Sequence, residues 1–221
     1  MLYAMSSYPI FLVVIAITLT LEVSAGKSGL VTCGSVLKLR NIDYNVRLHS
    51  HDVKYGKGST QQSVTAIEQM EDVNSHWIIK APTKKLCPRG EPIKCGDIVR
   101  LEHLSTSKNL HSHHFQSPLS GYQEVSAFGT HGDGDSGDHW TILCDGNVWE
   151  RDDEVMLRHV DTSVYLSVSG EQYGQPISGQ MEVVGTPRAM ASQWKAAEGL
   201  YVHTSDFNPK ESILSHSHTE L

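Results

Sequence analysis

Apolar residues recur along this chain in short runs separated by turn-forming stretches, and no long segment repeats them at helical spacing. GSVLKLRN (34–41), GDIVRLEH (96–103) and DEVMLRH (153–159) share a short strand pattern with a leucine at 39, 101 and 157. RLHSH, NLHSH and YLSVS follow, aligning Leu48, Leu110 and Leu166. QQSVTA, YQEVSA and GQMEVV then predict a third strand, and HWIIKA, HWTILC and QWKAAE a fourth. The intervening YGKGST, SPLSGY and YGQPISGQ are rich in Gly, Pro and Ser, as hairpin turns require.

The spacing from repeat leucine to repeat tryptophan tests whether this is coincidence. Leu48 to Trp77, Leu110 to Trp140 and Leu166 to Trp194 are 29, 30 and 28 residues. Three agreements within two residues establish an internal threefold repeat. Units of about four strands are too small to bury their own apolar faces, so they are expected to close around a common axis. The predicted fold is all-β, a β-trefoil. A row of separate modules would need flexible linkers, and KKLCPRGEPIK (84–94) and DGNVWERD (145–152) are short and not of the Gly/Ser type.

Outside the repeat, PIFLVVIAITLTLEVSAG holds an apolar run from Ile10 to Leu21, too short to span a bilayer at ~20 residues. It reads as a signal peptide, residues 1–25, cut after Ala25, with Val23 and Ala25 as the small cleavage-site residues. One trefoil is expected over 26–203, with units of about 33–83, 95–145 and 150–203. A flexible tail follows over 204–221, ending in His218, Thr219, Glu220 and Leu221. HTEL resembles the tetrapeptides that return proteins to the endoplasmic reticulum, with Thr219 where those have Asp. The expected location is therefore the lumen of that compartment, with partial secretion. No later segment is apolar enough for membrane insertion.

Charge narrows the partners. The formal net charge is −7, and because Glu22 is the only charged side chain in 1–25, the mature chain carries −7 + 1 = −6. No nucleic acid is expected as a partner. Cys33, Cys87, Cys95 and Cys144 would enter an oxidising compartment and lack Cys-x-x-Cys spacing, so they read as structural disulfides. In a trefoil the first and fourth strands of a unit run side by side, which favours Cys95–Cys144 and leaves Cys33–Cys87. Cys87–Cys95 is the rival.

Candidate chemistry centres on the LHSH echo. On a strand, His49 and His51, or His111 and His113, share a face, and His114 adds a donor. Zinc needs about four ligands, whereas repeats one and two are rotated apart and YLSVS has no histidine. These five histidines are therefore read as a partner-facing surface, with no metal. No G-x-S-x-G elbow or paired acidic motif argues for catalysis, and no cofactor is expected. GDGDSGDHW (132–140) lacks the ligand order of an EF-hand and reads as a solvated acidic hairpin tip.

Trp77, Trp140 and Trp194 are expected in the core. The Gln-x-Trp mark of sugar-binding trefoils is absent at all three, where Ser75, Asp138 and Ser192 stand two residues earlier. Tyr55, Gln62, Gln172 and Tyr173 lie in or beside hairpin loops suited to adaptable contacts.

VTCGSVLKLRN, RLHSHDVKYGKGSTQQSVTAIE, CPRG, KNLHSHHFQSPLSGYQEVSAFG and SVSGEQYGQPISGQ closely resemble the stromal cell-derived factor 2 family, from about Val31 to Val202. The repeat is similar to the MIR motif, also found in protein O-mannosyltransferases and in inositol trisphosphate and ryanodine receptors. The resemblance implies three MIR units in the endoplasmic reticulum lumen. It also implies a non-enzymatic quality-control role beside a J-domain co-chaperone and a BiP-type chaperone, acting on misfolded clients. Glycan binding is the alternative.

Overall fold

The computed structural model describes residues 29–151 and 153–203. The signal peptide, its cleavage site and the HTEL tail lie outside them. Twelve strands form among the described residues, four per unit. The first unit holds β1 (Val36–Asn41), β2 (Arg47–Lys54), β3 (Gln62–Ile67) and β4 (Trp77–Lys80). The second holds β5 (Ile98–His103), β6 (Asn109–Gln116), β7 (Gln123–Phe128) and β8 (Trp140–Leu143). The third holds β9 (Met156–His159), β10 (Tyr165–Gln172), β11 (Met181–Thr186) and β12 (Trp194–Leu200).

The outer strands make a six-stranded barrel. β1 pairs with β4, β4 with β5, β5 with β8, and β8 with β9. β12 returns to β1, and the ring closes where Val155 and Trp194 exchange two backbone hydrogen bonds of 2.9 Å. Closure removes the unpaired edges an open sheet would present. The inner strands form three hairpins, each with the same register and the same irregularity. Leu48 faces Ala66, Leu110 faces Ala127 and Leu166 faces Gly185. β3, β7 and β11 then pair with one another in a triangle that caps one end of the barrel. This is the β-trefoil that the spacing predicts.

The repeat spacing has a chemical cause. Each indole is fully buried, and its Nε1–H donates to the carbonyl of the leucine that opens the hairpin of its own unit. The pairs are Trp77 to Leu48, Trp140 to Leu110 and Trp194 to Leu166, each at 2.9 Å. Each of these three indoles gains from placing its buried N–H on an acceptor, which resists sliding of the hairpin past the fourth strand.

The opposite barrel end is plugged by segments that the sequence presents as linkers. Val31 N–H donates to Trp149, Trp149 to Ile93 and Ile93 to Val31, at 2.9, 2.8 and 3.0 Å, a cyclic set around the axis. All three side chains are buried. Trp149 of the DGNVWERD segment is thus a fourth core indole. The signal was available, because 31, 93 and 149 are separated by the same 62 and 56 residues as Leu39, Leu101 and Leu157. The disulfides sit at this end: Cys33–Cys87 and Cys95–Cys144 both form, and the rival Cys87–Cys95 pairing does not.

Candidate functional site

The histidine pairs on β2 and β6 begin where each strand leaves the core. Four buried residues open both strands, and exposure rises only from the fifth. His49 and His111 fall on the buried side of that boundary, His51 and His113 on it, and His114 beyond it.

In the first unit a chain of polar groups runs inward. Asp72 Oδ2 takes hydrogen bonds from His49 Nδ1 at 2.9 Å and Ser75 Oγ at 2.7 Å. His49 Nε2 meets His51 Nδ1 at 2.9 Å, and His51 Nε2 lies 3.2 Å from Ser63 Oγ. Burial pushes the Asp72 carboxyl up, but the hydrogen bonds from Ser75 and His49 outweigh it and hold it below the usual range. Burial and the neighbouring His49 push His51 down.

The second unit builds a variant of the same arrangement. His111 Nδ1 lies 2.9 Å from Asp138 Oδ1, while Asp138 Oδ2 accepts from Asn109 Nδ2 at 3.2 Å and from the Asp135 backbone at 3.0 Å. His113 Nε2 lies 3.2 Å from Glu124 Oε1, and Glu124 accepts from Ser59 in the hairpin of the first unit. The acidic segment is therefore not a fully solvated tip. Asp138 is completely buried, because its carboxylate answers His111 and Asn109, and Asp135 caps the short turn Ser136–Asp138. Donor atoms of His111, Asp135 and Asp138 come within 4.8 Å of one another. Protein hydrogen bonds engage all three, so the group reads as internal bracing.

Of the remaining candidates, Tyr55 and Gln62 are also buried. Tyr55 Oη lies 2.9 Å from both the Val64 and the Val125 carbonyl oxygens, so its single O–H bridges the hairpins of units one and two. Gln62 Nε2 binds Ser50 and Thr106 hydroxyls. Tyr173, the third-unit counterpart of Tyr55, packs its ring 6.4 Å from it, while Gln172 is exposed. His49, His111, Tyr55 and Gln62 are thus committed to the fold by burial. Of the candidate set, His51, His113, His114, Gln172 and Tyr173 have access to solvent.

Strand-end residues matter more than their sequence suggests. His103 and His159 end β5 and β9 in the interior, tilted against Trp77 and Trp140 with ring centroids 4.9 Å apart in both cases. Each binds the preceding unit: His103 Nε2 lies 2.8 Å from the Asn74 carbonyl, and His159 Nε2 2.8 Å from that of Gly137. Asn41 makes the equivalent link to Ala191 O at 2.8 Å. Burial pushes His103 down to about 4 and lowers His159 as well. The shared final position of LRN, LEH and LRH is the signal for this set.

Two grooves open between units on the hairpin side. One, of about 580 Å³, lies between units one and three and is lined by His49, Asp72, Glu68, Gln69 and Gln180. Its quasi-equivalent between units two and one, of about 330 Å³, is lined by Ser59, Gln61, Phe128 and Thr130.

A closed trefoil of three units whose indoles bind their own hairpins defines a MIR-type β-trefoil, and the MIR domain family matches residues 36–167. A stromal cell-derived factor 2-like protein 1 from Bos taurus is 55% identical over 201 residues, covering 88% of this chain and 91% of its own. The chain belongs to the stromal cell-derived factor 2 family. The crystal structure of the SDF2-like protein from Arabidopsis thaliana superposes with a TM-score of 0.77 at 44% identity, over 79% of this chain and 98% of that one. A chain of the S. cerevisiae protein O-mannosyltransferase complex, solved with its sugar donor, superposes with a TM-score of 0.72 at 28% identity. It covers 78% of this chain and 26% of that one.

Proposed function

We propose that this protein is a non-catalytic adaptor of the endoplasmic reticulum lumen. It joins a J-domain co-chaperone and a BiP-type chaperone and helps keep misfolded clients soluble. The observation that carries the reading is the second hairpin. Phe115, Leu119 and Tyr122 stand 49%, 43% and 37% exposed on its tip, next to His113 and His114. Their counterparts in the other hairpins are not a matching apolar set: Val53 and Glu171 take the place of Phe115. An exposed apolar group on a rigid scaffold, found on one hairpin of three, is what a contact surface requires and what the fold does not. Replacing Phe115, Leu119 and Tyr122 with Ser should abolish co-purification with the J-domain partner while leaving the melting temperature unchanged. Retained co-purification rejects this hairpin as the contact.

A second reading, recognition of O-mannosylated or other glycan-bearing clients, is supported by the polar groove of about 580 Å³ beside His49 and Asp72. Titration with a mannosylated peptide against Gln69→Ala and Gln180→Ala variants tests it. Saturable binding lost in the variants supports glycan recognition, and its absence removes this reading.

A further inference from the structure

The barrel end away from the hairpins carries a different surface. β4 runs antiparallel to β1, with Leu37 opposite Trp77, so the loop after Lys80 emerges beside the start of β1, far from the hairpin that follows its end. That loop is fastened at several points. Cys87 is bonded to Cys33, Gly90 N–H donates to Cys33 O at 2.9 Å, and Lys85 N–H to Pro82 O at 3.0 Å. Between these fastenings Leu86 is 99% exposed. A leucine displayed by a disulfide-anchored loop has little conformational freedom left to lose on binding, which favours contact by preorganisation.

Clefts lie on both sides of Leu86. One, of about 440 Å³, has apolar walls from Val36, Ile78 and Ile79, and its charged lining is entirely cationic: Lys80, Lys85, Arg89 and Arg100. The other, of about 360 Å³, is lined in part by Ile93, Ile98 and Val99, carries the carboxylates of Glu91 and Asp97, and shares Lys80, Lys85 and Leu86 with the first, so the acidic groups of a ligand belong on the side of the first cleft. Lys80 pairs with Glu102. Arg100 donates to the carbonyls of Ala81 and Gly132, and Lys85 and Arg89 form no ion pair among the described residues. The chain as a whole has 25 acidic against 18 basic side chains. Cations without carboxylate partners around an apolar cleft therefore run against the overall charge and complement an acidic ligand.

We propose that this face docks an extended peptide segment of a partner protein. Apolar side chains of the segment enter the clefts on either side of Leu86, and its Asp or Glu carboxylates meet Lys85 and Arg89. Alternation of apolar and acidic residues in an extended peptide sends successive side chains to opposite sides, which suits a ridge between two clefts. The inference does not depend on the hairpin contact proposed above.

The test is a peptide array in which Leu or Phe alternates with Glu or Asp at varied spacing, followed by fluorescence anisotropy on the tightest sequence. Two variants on exposed loop positions, Leu86→Ser and the double Lys85→Glu with Arg89→Glu, should each weaken binding about tenfold or more, equivalent to about 1.4 kcal/mol. Melting temperatures should stay within a degree or two of wild type. Replacing Glu by Gln in the peptide should remove the difference between wild type and the charge-reversed protein. Binding that ignores both variants overturns the proposal. So does the finding, by sedimentation, of a dimer that dissolves on Leu86→Ser, which assigns the face to a second copy of this chain. The Phe115, Leu119 and Tyr122 variant should bind these peptides as wild type does, so failure of one surface is distinguishable from failure of the other.

Discussion

Acidification should destabilise this fold through His103, by an amount the structure sets. The imidazole is buried, close to Trp77 and bonded to Thr106 and the Asn74 carbonyl, and its folded value lies near 4 against an ordinary 6.5. Between those values the unfolded chain takes up a proton that the folded chain refuses, so stability falls as pH falls and no further loss comes from this group below about 4. At pH 5 the unfolded imidazole is favoured by a factor of about 30. This group alone therefore removes about 2 kcal/mol relative to pH 7. His159, also lowered by burial, acts in the same direction. The control is supplied by the protein itself, since the first unit has Asn41 at this position. Urea unfolding followed by tryptophan fluorescence at pH 7 and pH 5 should show the loss in wild type and a loss smaller by about 2 kcal/mol in His103→Asn, whatever the absolute stability of that variant. Equal pH slopes in the two proteins would refute the assignment of the proton to His103.

Three further outcomes follow from the packing. Trp140→Phe leaves the buried Leu110 carbonyl without its 2.9 Å donor and opens space in the core, and should cost about 2–4 kcal/mol in urea unfolding. A loss below ~0.5 kcal/mol contradicts the register role of the indole. Gly185→Ala installs the residue the other two units use, Ala66 and Ala127, yet its Cβ would lie 2.4 Å from Val164 Cγ2. It should destabilise by about 1–3 kcal/mol, with partial recovery on adding Val164→Ala, as a double-mutant cycle would register. Replacing Cys95 and Cys144 with Ser opens a loop closed at a separation of 49 residues and should cost about 4 kcal/mol on the chain-entropy account, read as a lower denaturant midpoint under non-reducing conditions.

The repeat in side-chain identity hides a less regular scheme of contacts between units. Glu124 reaches the Ser59 turn of unit one, and Glu182 reaches Leu119 and Ser120 in unit two. The equivalent position in unit one is Ser63, too short to do the same for the third hairpin. His103, His159 and Asn41 tie each unit to the one before it. Buried polar groups of this kind must all be satisfied together. Each therefore acts as a register check as well as a source of stability.

Strand number, hairpin positions and threefold closure were written in the sequence, because an apolar period of two and a constant leucine-to-tryptophan interval are local consequences of backbone geometry. Both disulfides followed from the same fold logic, since first and fourth strands must lie side by side. The roles of the histidines were not legible. LHSH looks identical in units one and two, but His49 answers Asp72 whereas His111 answers Asp138, two residues before its tryptophan. Which carboxylate reaches which imidazole depends on chain segments 23 and 27 residues away. The burial of Trp149 at the barrel end was legible only as the long-range interval it shares with Val31 and Ile93, and that Leu86 stands out beside a cationic cleft was decided by the tertiary structure alone. A linker's burial and a leucine's exposure are set by what packs against them, and no window of sequence contains that information.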